Sequence, residues 1–168
     1  EQEHQLVLQA TAPEFNADLT IDGQLQRETQ WQGTLTEALL GSVQGNWQLE
    51  QPLALNVLFE QQQLTLGTHC WQQQSASLCL TENTTLSAEK GAAKLALKQF
   101  ELNSLSAFMP DATQLSGSID ANITAGWAAN AAPSADIQLT GSAGSLQQQL
   151  ELPVTLPWQH FSVAARLA

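Results

Sequence analysis

Two cysteines, Cys70 and Cys79, are the residues whose type and spacing most directly offer chemistry. They flank the segment WQQQSASL, and a hairpin with a two-residue loop at Gln74 and Ser75 sets one cysteine opposite the other. Directly opposed strand residues that do not hydrogen-bond to each other have Cα atoms about 4.5 Å apart, which a disulfide tolerates. The spacing therefore predicts a disulfide and an oxidising compartment. The nearby leucines alternate better in a register shifted by one residue, so a pair of reduced, buried thiols is the alternative.

The three histidines do not form a recognisable metal site. His4, His69 and His160 have no cysteine, histidine or carboxylate partners at the spacing of metal ligands. The sequence also lacks a nucleophile elbow, a phosphate-binding P-loop and a dinucleotide-binding glycine motif. We therefore expect a protein that is not an enzyme and that uses neither a metal nor a cofactor.

Composition and charge exclude several classes of partner. The 168 residues are 43% hydrophobic, which is enough for one domain with its own core. Only 12% are charged, yet the formal net charge is −11, because five Lys and Arg face sixteen Asp and Glu. So few cations cannot build the basic stripe that nucleic acids or anionic membrane surfaces attract. We expect no nucleic-acid partner.

The segment LSGSIDANITAGW, residues 115–127, alternates apolar or small residues with polar ones. A period of two is typical of a strand with one apolar and one polar face. Thirteen residues would span about 43 Å at 3.3 Å per residue, whereas strands usually have about 5 to 6 residues. Gly117 and Gly126 suit bends in such a long strand.

Other segments alternate in the same way, above all residues 43–59 and 150–158. Pro153 and Pro157 fall on the polar side of the last segment, and since proline cannot donate to a ladder, this strand should lie at a sheet edge. The predicted apolar lining consists of Trp47, Leu49, Leu53, Leu55, Val57, Phe59, Leu115, Ile119, Ile123, Trp127, Leu150, Leu152, Val154 and Leu156.

These patterns predict an all-β protein with at most one or two short helical turns, at residues 34–41 and 103–110. An apolar sheet face needs a second layer, and helices that could supply it are almost absent. Because sandwich strands are short, the long alternation favours one strongly curved sheet that folds over into an elongated apolar groove. A closed β-sandwich, or a β-scaffold segment of a bacterial surface adhesin without a transport role, is the alternative.

Three stretches carry a resemblance to a known family: GNWQLEQPLALNV, HCWQQQSASLCL and LKQFELNSLSAFMPDATQLSGSIDANITAGW. They resemble the TamB family of the bacterial translocation and assembly module, which groups with AsmA-like and bridge-like lipid-transfer proteins. The resemblance covers the whole sequence and points to a late segment of a much longer chain. It implies one groove module, residues 1–168, in a periplasm-spanning protein of Gram-negative bacteria.

The resemblance also implies function and partners. Such a protein is anchored in the inner membrane by a segment outside this sequence and works with a TamA-type barrel of the outer membrane. It assists the insertion of β-barrel proteins such as autotransporters, carries phospholipids to the outer membrane, or does both. The expected ligands are phospholipid acyl chains or nascent outer-membrane β-strands. The resemblance supplies no catalytic residues, and it maps onto the cysteine pair and the apolar strand faces.

Overall fold

The structure, a computed structural model, describes residues 2–26, 28–43, 45–149 and 152–167. Within these ranges all strand pairs are antiparallel. The first strands are β1 (Gln2–Ala12), β2 (Phe15–Gln26), β3 (Gln30–Ser42), β4 (Gly45–Leu49), β5 (Leu53–Leu58), β6 (Gln63–Leu66), β7 (His69–Gln73), β8 (Ala76–Leu80) and β9 (Thr84–Ser87). The others are β10 (Lys90–Glu101), β11 (Thr113–Ser116), β12 (Ser118–Ala128), β13 (Ser134–Gly141), β14 (Gly144–Gln148), β15 (Val154–Trp158) and β16 (Phe161–Leu167), and a 3-10 helix spans Leu102–Phe108.

The strands form a simple up-and-down meander, although many of them are short. β4 and β5 lie end to end along one side of β3, and β6 with β7, then β8 with β9, follow in the same way. The pairs β11–β12, β13–β14 and β15–β16 repeat the arrangement. Each pair is thus one long run interrupted near its middle, and β1, β2, β3 and β10 are runs without a break.

The interruptions of neighbouring runs lie side by side and form a line across the sheet, which we call the crease. It passes through residues 50–52, 67–68 and 81–83, and on β3 it meets a bulge that leaves Thr36 out of the register with β2. Single backbone bonds continue across it, such as Gly67 N–H to the Ala54 carbonyl at 2.9 Å. Because the crease crosses the strands, the sheet folds about an axis transverse to them.

A second line of interruptions separates a small sheet from the large one. It passes through Gly117 and residues 142–143 and 159–160, beyond which β11, β14 and β15 form a three-stranded sheet. Gly117 has φ +100°, a backbone conformation that favours glycine. The expected continuous strand over residues 115–127 is therefore wrong, because the chain bends at Gly117 into β11 and β12. β15 pairs on one side only within the described chain, which confirms the edge position that its prolines predicted.

Strand register gives the large sheet one apolar face. Directly paired residues of adjacent strands share a face. One such row consists of Leu80, Leu95, Ile123, Ile137 and Ala165. The adjacent row, on what we call the polar face, consists of Cys79, Ala96, Asn122, Gln138 and Ala164.

The most buried apolar residues flank the crease on the apolar face. Leu35 and Ala38 lie on either side of the β3 bulge, and Leu49 and Leu53 on either side of residues 50–52; all four are less than 9% exposed and form one cluster. Residues from both halves of the runs pack against this cluster, namely Leu19, Ile21, Leu55, Leu66 and Trp71. These residues are ladder neighbours on the apolar face, so the core of the large sheet sits along the crease.

Two aromatic rings come together on the apolar face across the intervening strands. Trp47 on β4 and Phe100 on β10 are separated by β7 and β8, so their backbones would be about 14 Å apart in a flat sheet. Their ring centroids are 6.5 Å apart and their planes differ by 3°. Between them on that face, at the tip of the β7–β8 hairpin, Gln73 and Ala76 are 5% and 2% exposed.

The fold class agrees with the sequence prediction, a large curved antiparallel sheet that is not closed into a barrel. The small sheet continues the strands of the large one and does not cover it, so the structure is not a closed sandwich. The predicted turn at residues 103–110 is the 3-10 helix Leu102–Phe108, whereas residues 34–41 are part of β3 without a helical turn.

Candidate apolar binding face

The apolar face of the large sheet is the strongest candidate for a binding surface. It extends from β1 at one edge to β16 at the other and is lined almost entirely by aliphatic, alanine and aromatic residues. Besides the crease cluster, it carries Leu6, Leu8, Ala17, Leu25, Trp31, Leu40, Trp47, Val57, Leu64, Leu78, Leu80, Leu86, Leu95, Leu97, Phe100, Ile119, Ala121, Ile123, Trp127, Ile137, Leu139, Phe161, Val163 and Ala165.

Burial on this face is partial. No large side chain in the described part of the chain is fully buried, and Ile119, Ile123 and Ile137 are half-buried. The chain exposes 11145 Å² of surface, whereas a compact monomer of 18.1 kDa exposes about 8,100 Å². Much apolar area that a globular protein would bury is accessible here.

The predicted lining residues divide into three groups. Trp47, Leu49, Leu53, Leu55, Val57, Ile119, Ile123 and Trp127 lie on the apolar face of the large sheet. Leu115, Val154 and Leu156 lie on the small sheet, where Leu115 and Leu156 share a row with Leu146. Phe59 lies in the turn after β5 and Leu152 in the bend before β15, 49% and 82% exposed, so neither belongs to a strand. Leu150 lies outside the described residues.

Several aromatic rings lie flat on the sheet because the residue opposite them is glycine. Trp127 is paired with Gly91, and Phe161 with Gly141. A Cβ atom added to either glycine would overlap the aromatic ring, as it would at Gly23 beneath Trp31. The glycines thus make room for rings that would otherwise stand away from the sheet. Sequence reasoning treated the glycines only as bends and missed this pairing.

The indole N–H groups of these flat rings are satisfied. Trp127 donates to the Ser87 carbonyl at 3.1 Å, and Trp31 donates to His4 Nε2 at 2.7 Å. A tryptophan anchored in this way presents an apolar ring surface without an unpaired donor. The apolar face therefore offers few hydrogen bonds to a ligand.

Chemistry-bearing residues lie mostly on the polar face. Cys70 and Cys79 are directly paired with Cα atoms 4.0 Å apart and form the disulfide that the two-residue loop predicted. The shifted register is wrong, since Leu78 pairs with Trp71. The polar face also holds the ion pairs Lys94–Glu82, at 2.8 Å, and Lys98–Asp120, at 3.6 Å.

The histidines are spread over the chain. His69 Nδ1 lies 2.8 Å from the Gly67 carbonyl, and its ring packs against the edge of Trp71. His4 accepts the bond from Trp31, and His160 is exposed between β15 and β16. Across the described ranges, no group of three or more His, Cys, Asp or Glu side chains is arranged to hold a metal ion.

A depression of about 880 Å³ lies on the polar face, a feature that sequence reasoning missed. Two rows of side chains line it, one from four strands and the other from five, so no short stretch of sequence signals it. Their polar members are Gln5, Asp22 and Thr34 in one row and Glu3, Gln24, Gln32, Asn56 and Thr65 in the other. This surface carries amides, hydroxyls and carboxylates, in contrast to the apolar face.

Comparison with known proteins identifies the family. The family model described as "TamB, N-terminal domain" matches residues 1–168. The "Translocation and assembly module subunit TamB" of Haemophilus influenzae is 30% identical over 83 residues, which cover 49% of this chain and 6% of the relative. The chain thus spans only a small part of the length of this relative. No solved structure matches the chain.

The family model's description refers to an N-terminal domain, and the expectation of a late segment stays a prediction. Among the described residues, no helix has the length and apolar character needed to cross a membrane. Because the family model covers the whole chain, one assignment follows. The chain belongs to the TamB family.

Proposed function

We propose that this chain binds the acyl chains of phospholipids on its apolar face and lets them move along the crease. The observation that carries the proposal is the half-exposed apolar face, which continues through the register of the large sheet from edge to edge. Soluble monomers rarely expose apolar patches of more than a few hundred Å², and larger patches mark binding sites. An acyl chain would cover the surface that the fold leaves open.

The energetics favour retention along the face without tight binding at one point. Each methylene group removed from water contributes about 0.8 kcal/mol, so an acyl chain gains several kcal/mol from an apolar surface. The lining side chains are almost all apolar, and an acyl chain forms no hydrogen bonds, so no position along the path holds the chain strongly. Movement along the crease then meets only shallow barriers.

Within the family context, the proposal places this module in a longer protein that serves outer-membrane biogenesis. That protein would be anchored in the inner membrane, cross the periplasm and act with a TamA-type barrel. Family membership supports this placement, and the disulfide is consistent with an oxidising compartment.

A matched pair of variants tests the role of the apolar face. Ile123 and Asn122 are neighbours on β12, and their side chains point to the apolar and the polar face respectively. Ile123→Asp places a carboxylate in the proposed lipid path, whereas Asn122→Asp makes the same charge change outside it. Lipids extracted from each purified protein would be quantified by mass spectrometry.

We expect phospholipid in the wild-type chain and in Asn122→Asp, and a loss of most of it in Ile123→Asp. Urea unfolding must show that Ile123→Asp still folds, since half-buried Ile123 contributes only part of the roughly 1.5–3 kcal/mol of a fully buried side chain. Equal lipid content in all three proteins, or none in the wild type, would contradict the proposal.

A second candidate function is the templating of outer-membrane β-strands at the free edge of β1. Within the described residues β1 pairs only with β2, and Leu6, Val7 and Leu8 are 52%, 60% and 45% exposed. An exposed apolar edge strand is a site for pairing with another chain. Photo-crosslinking residues at Ile123 and at Val7 distinguish the two functions, because the first predicts lipid adducts at Ile123 and the second predicts client-protein adducts at Val7.

A further inference from the structure

The turn between β9 and β10 lies at the ends of these two strands. We call this border of the large sheet, where its apolar and polar faces meet, the rim. Ser87 and Lys90 are bound to each other across this turn, since Ser87 Oγ accepts from Lys90 N–H at 3.1 Å and donates to the Lys90 carbonyl at 3.1 Å. These bonds fix the last residue of β9 beside the first residue of β10.

Trp127 marks the apolar side of this rim. Its ring lies over Gly91, and its N–H reaches across β10 to the Ser87 carbonyl. Trp127 remains 40% exposed. An indole with an apolar body and a bonded polar tip is suited to a boundary between apolar and wet surroundings. The rim of the apolar face at Trp127 therefore lies opposite Gly91, the residue next to Lys90.

A notch of about 420 Å³ lies on the polar side of the same rim. Its lining residues are Gln63, Thr85, Ser87, Lys90, Gly91 and Ala92. They provide an ammonium and an amide, which are donors suited to an anionic oxygen, whereas the Ser87 hydroxyl already donates to the Lys90 carbonyl and the Thr85 hydroxyl is bonded to that of Thr65. None of the lining residues carries a carboxylate.

Lys90 is the cation available at this rim. In the part of the chain that the structure describes, Lys94, Lys98 and Arg166 are each held in an ion pair with a carboxylate, and Lys90 is not. The neighbouring Glu89 is exposed and is not among the residues that line the notch. A phosphate at the notch would therefore meet an ammonium that has no competing partner.

We propose that the notch holds the phosphate group of a phospholipid whose acyl chains lie on the apolar face. The lipid bends over the rim, with its chains beside Trp127 and its phosphate at Lys90. This inference rests on the proposed function and adds a headgroup site to it. It also assigns an orientation to the bound lipid, with the headgroup at the β9–β10 turn and the acyl chains on the apolar face.

Two single substitutions test the site, and each variant is compared on two lipids that carry identical acyl chains. Lys90→Gln removes the proposed phosphate partner, and Lys94→Gln removes the same charge from a lysine that is paired with Glu82. Each protein is incubated with vesicles that contain radiolabelled dioleoylphosphatidylglycerol or radiolabelled dioleoylglycerol. The lipid retained on the captured protein is then counted.

We expect Lys90→Gln to lower retention of dioleoylphosphatidylglycerol about two- to five-fold, as for the loss of one exposed charge pair, and to leave retention of dioleoylglycerol unchanged. Lys94→Gln should retain both lipids like the wild type. Equal retention of the phospholipid by both variants, or an equal fall for both lipids in Lys90→Gln, would overturn the headgroup site and leave the proposed function standing.

Two further outcomes separate the proposals. If the wild-type chain retains neither lipid, the proposed function fails and the headgroup site fails with it. Glycerol phosphate, which has no acyl chains, serves as a competitor. If it displaces the labelled phospholipid at equal concentration, the notch is a site for free phosphate esters, and the lipid assignment is wrong.

Discussion

Removal of the Cys70–Cys79 disulfide should destabilise the chain without changing its apolar face. The bond joins residues nine positions apart on the polar face. The chain-entropy relation for a closed loop of this length gives about 2.6 kcal/mol at 25 °C. Because the two-residue turn and the ladder already hold β7 against β8, most of this stabilisation acts through the unfolded chain.

The perturbation is the double variant Cys70→Ser with Cys79→Ser, and the assay is urea unfolding followed by tryptophan fluorescence. The free energy of unfolding should fall by up to about 2.6 kcal/mol, and the slope with urea should change little relative to the reduced wild type. A reductant should shift the wild-type midpoint toward that of the variant and leave the variant unchanged, which controls for the effect of the serines.

The amount of extracted phospholipid should equal that of the wild type, since the cysteines face away from the proposed path. No loss of stability would refute the loop-closure reasoning. A loss of much more than 4 kcal/mol, or a loss of bound lipid, would show that the disulfide also shapes the native sheet, and the assignment of its role to the polar face alone would be wrong.

Three further substitutions probe the sheet itself. Gly91→Val should lower the free energy of unfolding by about 1–3 kcal/mol, because the added side chain overlaps the Trp127 ring. Urea unfolding of the double variant with Trp127→Ala should show that part of this loss is recovered. Gly117→Ala should cost about 1–2 kcal/mol, because alanine is strained at φ +100°; an unchanged urea midpoint would contradict this. Val7→Lys should keep the free energy of unfolding within about 0.5 kcal/mol of the wild type, because Val7 is exposed on the β1 edge; a larger loss in urea unfolding would contradict this.

The sequence could predict the β class and the two faces because alternation survives in the folded chain. Ile119 and Ile123 lie on the apolar face, and Asn122 between them lies on the polar face, as their spacing requires. The disulfide could be predicted for a similar reason, since a two-residue loop fixes the register of a short hairpin. Both inferences use only local geometry.

The crease could not be predicted, because the alternation passes through it unchanged. Leu49 and Leu53 keep the same parity across residues 50–52, although β4 has ended and β5 has not begun. The pattern over residues 115–127 marks Gly117 as a position suited to a bend, but it does not show that the strand is interrupted there with φ +100°. The position of a strand break depends on the alignment of several neighbouring runs, and the sequence of a single run does not specify that alignment.

The aromatic and glycine pairs depend on residues far apart in sequence. Trp127 lies over Gly91, and its N–H reaches Ser87, 40 residues away in the chain. The rim at Lys90 and the depression on the polar face arise in the same way, from strands that become neighbours only through the meander. These features require the register between strands, which a single sequence leaves undetermined.

The direction of the crease determines how such a protein can grow. Each run crosses the fold axis once, so an added hairpin contributes two strand spacings, about 9.6 Å, to the length of the sheet along that axis. The cross-section stays the same, because every hairpin brings its own apolar and polar faces and its own interruption at the crease. Duplication or loss of a hairpin therefore changes how far the protein reaches without changing what it can carry, so reach and cargo can evolve independently.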